Sequence, residues 1–177
     1  MALPHEVEAL AAAESAALAA EEVELDYMTE GFKSMSYWFN ACQEHWREAW
    51  HAGNYLTMDE TMIMWAGVAS IVLTFLPRKP TPLGFMIKTC VDAKTGILLS
   101  MELVEGKEID RLKPFYEEVG HTASVTLRVA QPFEGSGRVI IADAWFGSYK
   151  TAIWLRKFGL YAVMNVKRAA AQFPKQA

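Results

Sequence analysis

The chain has 177 residues, of which 52% are hydrophobic and 12% aromatic, so it can bury one sizeable core and is not a disordered segment. Its net charge of −4 conceals a gradient: residues 1–60 hold 2 Lys/Arg against 12 Asp/Glu, residues 61–110 hold 5 of each, and residues 111–177 hold 10 against 4. An acidic front and a basic back suggest two functional regions, the basic one suited to phosphate, although an unevenly solvated surface gives the same count. Cys42 and Cys90 make neither a disulfide framework nor a metal cluster, and no basic segment followed by an apolar core opens the sequence. The expected setting is therefore intracellular, nuclear or cytoplasmic, and not secreted.

Residues 5–25, rich in Ala and Glu, predict an exposed helix. Residues 34–50 predict a second helix, with Trp46 and Trp50 four apart and Phe39 and Cys42 three apart on an aromatic face that core packing explains. His45 and His51 have no Cys or carboxylate at ligand spacing, so zinc is not expected there. Residues 1–50 form an N-terminal helical segment in this reading, and 51–177 the core. A strand Tyr55–Met58 ends at Asp59, and the uncharged run Thr61–Pro77 follows. That run is too short to cross a bilayer, which takes about 20 residues, and predicts buried strand and loop. The segment "PRKPTP", 77–82, excludes helix and central strand.

Residues 84–92 and 97–104 predict a hairpin turning at "AKTG", with Gly96 where a positive φ is needed. Helix is expected within 108–131. "RVIIAD", 138–143, predicts a buried strand, then a helix capped by Ser148, with Arg156 and Lys157 in its last turn and Gly159 behind it. A second buried strand, 160–166, completes a parallel βαβ unit. Asp143 then lies at the carboxyl end of its strand, the edge where open α/β sheets bind ligands. If the strands of Asp59 and Asp143 are neighbours, their carboxylates can share one hard cation such as Mg²⁺. An Asp after a strand also serves as a turn or cap residue, and spacing alone leaves both readings open.

An ordered set of short motifs resembles the transposase domain of piggyBac-type elements, a branch of the DDE transposases. The set is "LTMDETM" around Asp59; Lys79–Pro80, Gly84 and Lys88; Asp92, Thr95–Gly96 and Gly106–Lys107; "DAWFGS", 143–148; and Lys167–Arg168 with Phe173–Pro174. The resemblance covers about residues 50–175. It implies an α/β, RNase H-like mixed sheet, antiparallel hairpin strands plus the parallel βαβ unit, flanked by helices. It implies Asp59 and Asp143 as catalytic metal ligands for Mg²⁺ or Mn²⁺, with Glu60 as a helper beside them. Lys79, Lys88, Lys167 and Arg168 become candidates for phosphate contact, each also readable as a solvated charge. DNA is the implied partner, with neither membrane nor small-molecule substrate.

The pattern departs from the family in three ways. No Asp or Glu follows Asp143, Gly67 is followed by Val68 where the family has Arg, and Ala144 stands where the family has Asn. The expectation is a partial catalytic domain with an incomplete acidic triad, weak or absent metal binding and impaired catalysis. An incomplete domain leaves a sheet edge or helix-docking face uncovered, which favours self-association. The alternative is a domesticated, non-catalytic interaction or DNA-binding protein, with helix 5–25 as its arm.

Overall fold

The computed structural model describes residues 37–65 and 73–167, in two units that divide between Cys42 and Gln43. The expected helix 5–25, most of the loop after Trp65, and Arg168 lie outside the described residues. Helix α1 covers 37–49. Its second half meets the sheet through polar groups: the Gln43 side chain accepts from the Met101 amide at 2.6 Å, and Arg47 donates to the Leu99 carbonyl at 3.4 Å. The expected aromatic packing is only partial. Gln43 is buried, Trp46 half-buried and Trp50 exposed.

Six strands form one mixed sheet among the described residues: β1 (Tyr55–Met64), β2 (Thr74–Phe75), β3 (Leu83–Asp92), β4 (Leu98–Leu103), β5 (Val139–Ala142) and β6 (Tyr161–Met164). Their order is β2-β3-β1-β5-β6, with β4 also paired to β3. β1–β3 and β3–β4 are antiparallel, whereas β1–β5 and β5–β6 are parallel. The hairpin β3–β4 turns at Gly96, whose φ of 74° is left-handed territory that a side chain disfavours. Asp92 closes the same turn, accepting from the Lys94 and Thr95 amides at 2.9 Å each and from the Gly53 amide at 2.6 Å.

Between the hairpin and β5 lie α2 (Lys107–Arg111), α3 (Tyr116–Val119) and α4 (His121–Ala130), followed by a 3₁₀ turn, Gln131–Phe133. α5 (Tyr149–Lys157) joins β5 to β6. The Ser148 hydroxyl accepts from the Thr151 amide at 3.0 Å, so the predicted cap is formed. Gly159, at φ 68°, ends the helix. One core fills the space between the sheet and α4–α5. Leu56, Met58, Cys90, Leu99 and Ile140 come from the strands, Leu127 and Leu155 from the helices, and Phe146 from the turn after β5.

Two expectations of burial are corrected. β1 runs to Met64, not Met58, because the antiparallel ladder with β3 continues through Met64↔Gly84. Its far end lies beyond the β5 ladder, and Ile63 and Met64 are exposed there, as is Phe75. β6 is a buried strand on one side only. As the last strand in the order it exposes Tyr161 and Val163, while Ala162 and Met164 pack against the core.

Candidate functional site

The parallel ladder between β1 and β5 runs from Tyr55↔Val139 to Met58↔Ala142. The next residue on each strand is Asp59 and Asp143. Two acids 84 positions apart in sequence are thereby neighbours at one end of the ladder. Asp59 is not at a strand terminus as expected. It lies inside β1, paired to Thr89 of β3, at the point where β1 loses β5 as a neighbour. Both aspartates are exposed.

Each carboxylate has one oxygen held by local backbone. Asp59 Oδ1 accepts from the Glu60 amide at 2.7 Å, and the Thr89 hydroxyl donates to the Asp59 carbonyl at 3.1 Å. Asp143 Oδ1 accepts from the Trp145 amide at 2.8 Å. The Asp143 carbonyl accepts from the Gly147 amide at 3.0 Å, closing the turn from β5 into α5. Gly147 is required there. A Cβ on it would stand 2.0 Å from the Asn165 carbonyl oxygen, in the chain that leaves β6.

Glu60 points the other way along the pleat from Asp59. Its side chain is 8% exposed and meets three cations: Lys79 at 3.2 Å, Arg78 at 3.4 Å and Lys88 at 3.8 Å. Lys88 pairs with Glu60 across the β1–β3 register, is 3% exposed, and sets its ammonium 3.4 Å from the centre of the Trp145 ring. Burial holds the Lys88 pKa below the ordinary lysine range, and the charges of Glu60, Asp143 and Asp59 oppose that shift. One ammonium therefore feels all three carboxylates.

A cleft of about 480 Å³ opens beside this cluster, lined among others by Glu60, Lys88, Met86, Tyr116, His121 and Trp145. On its wall stands an ionic network that sequence reading missed. Arg128 donates to both Glu102 oxygens at 2.8 Å and to Asp110 at 2.5 Å, while Asp110 also meets His121 Nδ1. Lys113 reaches Glu102 at 3.2 Å and pairs with Glu105. Burial pulls the Arg128 pKa down, but Glu102 and Asp110 outweigh it and the pKa rises. These residues come from β4, α2, α4 and the connections on either side of α2, and share no motif; only the fold joins them.

The phosphate candidates separate. Lys167 is exposed, three residues beyond β6, at the same sheet edge as the aspartates. Lys79 is engaged with Glu60, and Lys88 is inside the protein. Hard carboxylate oxygens just past the end of the β1–β5 ladder are the right donors for Mg²⁺ or Mn²⁺. Among the described residues, though, no group of three or more His, Cys, Asp or Glu is gathered to hold a metal ion. No helix among them is long and apolar enough to cross a membrane.

Comparison with curated proteins returns no match. Among solved structures, the chain is similar to a piggyBac transposase seen by cryo-electron microscopy in a synaptic complex with hairpin DNA. The TM-score is 0.61 at 24% identity, over 70% of this chain and 25% of that one. The chain thus spans about a quarter of the length of the transposase it matches, and its mixed sheet with flanking helices has that protein's RNase H-like fold. The family model described as Transposase IS4 matches residues 9–177, and the chain belongs to that family.

Proposed function

We propose that this chain is part of the catalytic core of a DNA transposase and contributes Asp59 and Asp143 as two of the carboxylates that hold a divalent cation. The observation that carries this reading is the parallel register that brings the two acids side by side. A bound Mg²⁺ or Mn²⁺ would supply Lewis-acid stabilisation of charge at the phosphate being cut. The chain's own residues do the positioning. Asp59 is braced by β3, and Asp143 is braced by the amides of its own turn. DNA is the proposed substrate, in keeping with the complex seen for the piggyBac protein. The exposed Lys167, at the same sheet edge as the carboxylates, is the proposed phosphate contact.

Two carboxylates are fewer than the three that the motif resemblance implies, and no acid follows Asp143 in these 177 residues. By itself the chain should bind the cation weakly and cut DNA poorly. The alternative is a non-catalytic binding protein built on the same scaffold. Incubating the chain with supercoiled plasmid and Mn²⁺ tests DNA binding and cutting, and calorimetric Mn²⁺ uptake separates the two readings, its absence favouring the non-catalytic one. We expect retained plasmid binding with little nicking. Robust nicking that disappears in Asp143→Ala would show a complete active site. Plasmid binding absent at low salt would remove DNA as the substrate.

A further inference from the structure

Lys88 was expected among the phosphate contacts, yet it sits on the core face of β3, and an ammonium there is costly to bury unless it is paired. Its partners are unusual in where they belong. Glu60 is the residue after Asp59, and the Lys88 Nζ lies 3.8 Å from its Oε2. That oxygen is buried and accepts no hydrogen bond in this structure, so its compensation is the charge of Lys88. Trp145 is two residues after Asp143, and its amide donates to the Asp143 carboxylate. Its ring is fixed on one face by Lys88 and by edge contacts with His121 at 5.7 Å and Phe146 at 4.8 Å between centroids.

We propose that Lys88 is a positioning residue, a clamp whose ammonium ties β1 at Glu60 to the Asp143 turn at Trp145 and so sets the separation of the two aspartates. No other described side chain has both an ion pair to the neighbour of Asp59 and a ring contact to the turn of Asp143. The purpose assigned to the clamp rests on the cation-binding reading above; the clamp itself is a matter of local rigidity and can be measured without metal.

The test is amide hydrogen exchange on the full chain, read at Trp145 and Gly147, whose N–H groups both bond to Asp143. Lys88→Met should raise exchange at these two amides by at least roughly tenfold. Amides of the β3–β4 turn, such as Asp92 and Gly96, should change by less than about twofold. Lys88→Arg, whose guanidinium can still stack on the ring, should restore most of the protection. Should Lys88→Met fail to fold, Glu60→Gln decides. It lies on another strand and can loosen the Asp143 turn only through Lys88, so the same two amides should respond. The clamp is overturned if Glu60→Gln leaves Trp145 and Gly147 unchanged, or if exchange rises evenly across the sheet, the mark of a merely stabilising pair. Mn²⁺-induced water-proton relaxation, run in parallel on the unmutated chain, tests the cation reading separately. Its absence would contradict that reading and leave the amide result to judge the clamp.

Discussion

Asp92 shows how far local geometry can move a carboxylate. It accepts from the backbone at Gly53, Thr95 and Lys94 and from the Thr95 hydroxyl, and these bonds lower its pKa to about 2. A carboxylate whose folded pKa is depressed contributes stability that is present above its unfolded value, near 3.8, and lost as pH falls toward about 2. Asp92→Asn should therefore lower the denaturation midpoint at pH 7 and flatten the acid limb between those values. Urea titrations at a series of pH values check both effects. The motif reading found Asp92 at the correct hairpin but gave it no role, because the Gly53 amide that fixes it is 39 residues away. Glu60 and Lys88 carry the same lesson. Their spacing in sequence is uninformative, and only the β1–β3 register makes them a buried pair.

At the scale of elements, the turn from β5 into α5 is the most constrained piece of the site. Gly147→Ala puts a methyl into the Asn165 carbonyl, which backbone cannot easily yield, and should cost about 1–3 kcal/mol. Ser148→Ala removes the cap and should cost about 1 kcal/mol. Chemical denaturation measures both, and a neutral Gly147→Ala would mean that the turn is looser than described. The βαβ unit and the Gly96 hairpin were legible in sequence because each is local: a cap, a C-terminal glycine, an apolar strand on either side. The far half of β1 was not. "TMIM" is apolar, which suggested burial, but the parallel neighbour stops at Met58 and leaves Ile63 and Met64 exposed. Apolar content reports what a strand could bury and says nothing of where its neighbours end.

For the molecule as a whole, the sheet order decides where the two acids lie. β1 lies between β3 and β5, so the acid of an antiparallel pair and the acid of a parallel βαβ unit meet at one rim. Sequence could propose that meeting, through the order of its motifs, and could not measure it. It missed the Arg128–Glu102–Asp110 network altogether, since β4, α2 and α4 come together only in the folded chain. The most direct measurement is Mn²⁺ uptake by electron paramagnetic resonance, comparing the unmutated chain with Asp59→Asn and Asp143→Asn. The account predicts weak uptake at one site, reduced at least roughly tenfold by either substitution while the melting temperature stays nearly unchanged. No uptake by the unmutated chain, or uptake indifferent to both substitutions, would contradict it.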